Sequence, residues 1–123
     1  MPVALNTTLR NARSTAISTE AGATAKLTVY TSAYGAELYT STCAATLGTA
    51  AGGVLTFNAV ANATATGAGN AAIARLFKTD GTTMVVEGLT VGTSGTNIII
   101  TNVVIAISDV VTTTSGTITE GNA

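Results

Sequence analysis

Between Ala71 and Val91 the chain reads AAIARLFKTDGTTMVVEGLTV, two runs of apolar and β-branched residues on either side of Lys78-Thr79-Asp80-Gly81. Such runs parted by an Asp-Gly pair predict a β-hairpin. Gly81 can take the positive φ that a tight reversal needs, and the Asp80 side chain can hydrogen-bond the turn backbone. Two charge pairs suit this hairpin, Arg75 with Glu87 or Lys78 with Asp80. Its register stays open. One loop length sets Arg75 opposite Glu87, and another shifts the pairing by one residue and changes which side chains meet.

Most of the remaining chain offers short strands. KLTVYT, residues 26–31, alternates Leu27 and Val29 against Lys26, Thr28 and Tyr30, the pattern of a half-buried strand, and Ser32 to Gly35 breaks it. A weaker strand follows from Glu37 to Leu47, with Tyr39, Ser41 and Cys43 opposing Leu38, Thr40 and Thr42. Val54 to Asn58 is a short strand. Residues 59–72 mix small residues with Gly67 and Gly69 and suit either an extended segment or a loop. Val91 to Gly95 reads as a second reversal. NIIITN, residues 97–102, is the most apolar strand, Val103 to Ile107 continues it, and Val110 to Thr119 comes last.

One helix is expected, over residues 5–20. Leu5, Leu9, Ala12 and Ala16 recur at helical spacing and share a face, Ile17 broadens it, and Arg10, Arg13 and Ser14 face away. Asn6 or Thr7 can cap its start and Gly22 suits its end. It either packs on its own sheet or lies as an arm on a neighbour. The chain is therefore expected to be one mainly β domain, a β-sandwich or jelly roll of about eight strands (residues 25–123) behind an N-terminal helix or arm (residues 1–24).

Charge narrows the function classes. Only 9% of the 123 residues are charged, against about a quarter in an ordinary soluble domain. Apolar residues make up 46%, and 26 threonines clothe the rest in hydroxyls and methyls. Surfaces so poor in charge belong to secreted proteins, fibres or subunits whose faces neighbours occupy. The five basic residues, Arg10, Arg13, Lys26, Arg75 and Lys78, are scattered, so no phosphate-binding face is expected and nucleic acid is excluded as a partner. No run of 18 apolar residues predicts a membrane span, and the N-terminus lacks a signal-peptide layout, which points to the cytoplasm.

Catalytic chemistry finds no footing either. The chain has no histidine and one cysteine, Cys43, expected to be a small buried residue. Its six carboxylates, Glu20, Glu37, Asp80, Glu87, Asp109 and Glu120, follow no metal-loop spacing, and pairing Glu37 with Glu87 as a glycosidase dyad has no special support. Serines lack a base at Ser-x-x-Lys spacing. Gly67-Ala68-Gly69 is no phosphate loop, and the Asn6 and Asn62 glycosylation patterns are chance matches. No catalytic residue, metal ligand or cofactor is expected, and an enzyme is not.

The layout resembles small virion proteins of tailed bacteriophages. The resemblance is carried by ALNTTLRNA at the N-terminus, KLTVYT, the stretch ATATGAGNAAIARLFKTDGTTMVVEGLTVGTSG and the terminal VVTTTSGTIT, from about Ala4 to Thr119. It implies a β-sandwich subunit, a cement or decoration protein on the capsid surface, assembled in the host cytoplasm. It carries no catalytic residue over. Such a subunit would bind the major capsid protein and itself, as a dimer or trimer, through many weak contacts repeated by symmetry. Leu5 and Leu9 on the helix, and Thr112, Thr114 and Thr117 on the last strand, are the interface candidates, the latter because a threonine-rich edge can pair with a neighbour. The excess apolar character of Ile98–Thr101 and Val103–Ile107 suggests a further contact between subunits. Two rival readings are a tail or fibre module binding a host surface glycan, favoured by Tyr30, Tyr34 and Tyr39 clustering on one edge, and a self-assembling sheath or surface subunit.

Overall fold

The computed structural model of the chain describes residues 6–119. Strands dominate, as expected. β1 (Lys26–Tyr30) pairs with β2 (Glu37–Thr42) on one side and β7 (Ile73–Phe77) on the other. β8 (Met84–Gly92), β9 (Ile98–Ile100), β12 (Thr113–Thr119), β4 (Val54–Phe57) and β3 (Gly48–Ala51) complete an eight-stranded sheet in the order β2-β1-β7-β8-β9-β12-β4-β3. This sheet curls on itself in a sandwich-like fold. Its inner face buries Leu27, Val29, Tyr39, Leu55, Leu76, Ile98 and Ile100 completely or nearly so. Each aliphatic side chain among them contributes roughly 1.5–3 kcal/mol on leaving water.

The hairpin at Ala71–Val91 forms, as β7 and β8. Gly81 has φ 73°, and its N–H donates to Lys78 O at 2.9 Å. The register takes no single frame. Leu76 pairs with Val86 but Ala74 with Leu89, so Glu87 and Gly88 together oppose Arg75 as a bulge. Lys78 does not pair with Asp80; its Nζ reaches Glu20 of the helix at 3.0 Å, while Asp80 turns inward to its own turn.

Two short ladders replace the undecided stretch at 59–72. β5 (Ala63–Thr64) pairs with β11 (Val110–Val111), and β6 (Gly69–Asn70) with β10 (Val104–Ile105). The segment also covers the outer edge of β2: Ala61 N–H donates to Thr42 O, and the Thr66 and Gly67 N–H groups both donate to Leu38 O. Leu38 is thereby buried on the face opposite Tyr39.

The expected reversal at Val91–Gly95 is not one. β9 runs parallel to β8, with Val91 beside Ile98 and Gly92 beside Ile99. Parallel neighbours usually need a crossover of a dozen or more residues. Here five residues suffice, because Asn97 clamps three strands. Its Oδ1 accepts from the Thr90 N–H (3.1 Å) and hydroxyl (3.0 Å), its N–H donates to Thr90 Oγ1 (3.0 Å), and its Nδ2 donates to Thr117 O of β12 (3.1 Å).

The helix α1 (Thr7–Ala21) begins where expected: the Leu9 N–H donates to the Asn6 side chain at 2.8 Å, and the Gly22 N–H closes the other end on Ser18 O. It packs against β3, β4 and β8 of its own sheet. The buried face matches the expected one only in part: Ile17 turns inward and Arg13 outward as expected, but Arg10 and Ser14, expected to face away, turn toward the sheet. Ser14 and Ala21 are buried and Arg10, Asn11 and Ile17 half-buried, whereas Leu9, Ala12 and Ala16 are exposed. The reason is polar. Gly53, in the β3–β4 turn at φ 79°, donates its N–H to Asn11 Oδ1 at 2.8 Å and accepts from the Ser14 hydroxyl at 3.4 Å. Arg10 lies so close over Gly53 that a Cβ there would strike its guanidinium. With alanine as the main apolar residue of the helix, these bonds outweigh a weak hydrophobic stripe.

Candidate functional site

Strand alternation builds the first surface feature. In β10 and β11 the side chains of Ile105 and Val111 point into the core, so those of Val104 and Val110 point out. Val104 is 61% exposed and Val110 65%, as is Ile107 in the turn between them. That turn is rigidly tied. Asp109 accepts from the Ala106 N–H through Oδ2 at 2.9 Å and its own N–H returns to Ala106 O, while across the turn the Ser108 N–H donates to Ala65 O and the Ala65 N–H donates to Asp109 O, just beyond β5. Asn102 Oδ1 holds the Val104 N–H at 2.9 Å. Val104 and Val110 flank a shallow cleft of ≈ 170 Å³ that also touches Asn102 and Asp109. Small-molecule sites usually enclose several hundred Å³. An apolar rim on a cleft this small suits a protein surface better than a buried ligand.

The sequence pointed to Val103–Ile107 as too apolar, and the structure divides that excess. Ile98, Ile100 and Ile105 belong to the core; Val104 and Ile107 belong to the surface. The outward set was missed because Val103-Val104-Ile105 shows no polar partner in its alternation.

The other interface candidates are placed as follows. Leu9 is 46% exposed on the outer face of α1; Leu5 lies outside the described residues. Thr112, Thr114 and Thr117 do not stand on an edge. β12 sits between β9 and β4, its first half (residues 113–116) paired with β9 and its second half (residues 117–119) with β4. Thr114 is exposed and its hydroxyl donates to Ile99 O; Thr117 lies opposite Thr56 and is half-buried, as is Thr112. The Thr49, Thr56 and Thr117 side chains line up across β3, β4 and β12 on the outward face.

The second feature gathers charge and aromatic rings on the outer face of β1, β7 and β8. Thr31 ends β1, and the next turn holds two consecutive non-glycine residues in the left-handed region, Ala33 (φ 58°) and Tyr34 (φ 57°). Each costs about 1 kcal/mol. The turn is held by the Ala36 N–H donating to Thr31 Oγ1 at 2.8 Å and by the Gly88 N–H of the bulge donating to the Tyr34 hydroxyl at 2.7 Å. Tyr34 thereby lies under the Arg75 guanidinium, 3.8 Å from Cζ to ring centroid, with Tyr30 edge-on at 5.3 Å. Glu87 Oε2 stands 3.8 Å from Arg75 Nε, an ion pair too long for a hydrogen bond. Tyr39 is not part of this cluster. It is fully buried, and burial pushes its hydroxyl pKa up; Thr113 lies beside it, yet neither oxygen completes a well-formed hydrogen bond.

The remaining reactive groups are engaged locally. Burial pushes the Cys43 thiol up to about 11 against the opposing charge of Lys26, which leaves it protonated and unreactive. Glu37 accepts from the Thr40 hydroxyl of its own strand, and Glu87 stands by Arg75. Among the described residues no three Cys, Asp or Glu side chains come together as a metal site, and no helix is long and apolar enough to cross a membrane. No family model, curated protein or solved structure matches this chain.

Proposed function

We propose that this chain is a structural subunit of a tailed-phage particle, a cement or decoration protein that binds the major capsid protein on the head surface and associates with copies of itself. The observation that carries the reading is the trio Val104, Ile107 and Val110, exposed on a turn that its own hydrogen bonds hold rigid. Exposed aliphatic side chains on a preorganised turn gain by burial and lose little entropy on docking. The low charge of the chain lowers the desolvation cost of such contacts, and symmetry multiplies a weak site into a stable one. Leu9 offers a second apolar contact from the helix.

Co-sedimentation tests this. The purified chain is mixed with isolated heads, and separately with isolated tails, of a tailed phage that carries it. Saturable binding to heads alone, with a raised melting temperature of the shell, is the expected result. Binding to tails or host cells alone overturns it.

A further inference from the structure

We propose that Tyr30, Tyr34, Arg75 and Glu87 form a subsite for one neutral saccharide unit, independent of the capsid contact. Stacking on Tyr34 fixes the plane of the Arg75 guanidinium, and the bulge sets the exposed Glu87 carboxylate beside it. Arg75 Nε is buried and, at 3.8 Å, does not satisfy the exposed Glu87 carboxylate, so the donors a ligand can meet beside that acceptor are the terminal guanidinium nitrogens. A vicinal diol answers both, accepting from arginine and donating to the carboxylate. An anionic ligand would meet repulsion from Glu87, and a cation would meet Arg75, so a neutral polyhydroxyl is the chemistry that fits. Tyr34 is occupied on its face by Arg75 and at its hydroxyl by Gly88, which leaves half-buried Tyr30 as the ring for the sugar's C–H face.

The backbone supports a site rather than chance packing. Two adjacent left-handed non-glycine residues lie in the turn that brings Tyr34 under Arg75, and strain of this kind concentrates where geometry serves binding. None of the four residues lines the Val104–Val110 cleft, so the two surfaces can be tested apart.

The test is an NMR titration of the full chain with glucose, galactose and N-acetylglucosamine, following the Tyr30 and Tyr34 ring signals and the Arg75 Nη–H groups. A saturable shift confined to these groups is expected for at least one sugar, with a Kd on the order of millimolar, as suits about a dozen non-hydrogen atoms at modest ligand efficiency. Glu87→Gln, at an exposed position, should weaken that sugar roughly tenfold with an unchanged melting temperature. Tyr30→Leu should weaken it while keeping the apolar bulk. No saturable shift up to about 100 mM, which is far above such a Kd, overturns the proposal, as does equal affinity in Glu87→Gln. Head binding by Glu87→Gln should match the parent, so a failed sugar titration leaves the capsid reading standing.

Discussion

Asp80 shows how much one exposed side chain can hold. Its carboxylate accepts from the Thr83 hydroxyl and from the Thr83 and Thr82 N–H groups, which lower its pKa from 3.8 to about 2. The depressed value belongs to the folded state, so the cap stabilises above the ordinary carboxylate pKa and its contribution is lost as the pH falls through about 2. Asp80→Ala is expected to melt below the parent at pH 7, with the gap closing towards pH 2; equal melting at pH 7 would show that the turn needs no cap. Tyr39 is the opposite case, a buried hydroxyl without a well-formed bond. Tyr39→Phe removes that group without removing volume and should leave the melting temperature equal or higher. A fall equivalent to more than about 1 kcal/mol would mean that Thr113 is a true partner. At this scale the sequence was informative where chemistry is local. Asp80, Gly81, Asn6 and Gly22 act within a few residues of themselves. Glu20 with Lys78, and Tyr34 with Gly88, join positions whose meeting depends on the whole topology.

Elements were legible in kind and obscure in partnership. The β7–β8 hairpin, β1 and α1 stand close to their expected bounds, whereas β2 ends at Thr42 rather than Leu47 and Gly48, expected to end it, opens β3. The helix face was read only in part, with Ile17 inward and Arg13 outward as expected, because alanine and serine differ little in hydrophobicity and two side chains reaching the Gly53 backbone tip the rest. The β8–β9 step was hidden because its connection is too short for the usual parallel crossover, and a Gly-Thr-Ser-Gly run signals a reversal wherever it occurs. Asn97 carries that step. Asn97→Ala removes its side-chain bonds to β8 and β12 and is expected to cost about 2 kcal/mol in chemical denaturation. Asn97→Asp keeps the acceptor for Thr90 but loses the donor to Thr117, and should fall between the two. A neutral Asn97→Ala would place the weight of the step on the Ile98 and Ile100 packing instead.

For the whole molecule, apolar surface is the property that bears on function. Val104→Asp with Val110→Asp changes only outward positions, so the melting temperature should hold while, on the proposed capsid reading, sedimentation with phage heads drops roughly tenfold or more. Loss of both would mean that the pair supports the fold. Retained head binding would move the contact to Leu9 and the outer face of α1. The sequence revealed an apolar excess near these valines, but only the pairing of β10 with β6 and β11 with β5 decides which of them face outward. The position of β12 has a consequence for how the chain is made. It follows every other described strand in order, yet it fills the middle of the sheet between β9 and β4. While residues 113–119 are still inside the ribosome, both of those strands expose an open edge, and the two halves of the sheet cannot join. Synthesis must therefore pass Thr119 before the sheet can close, and a nascent chain stalled short of that point carries two sticky edges into its surroundings.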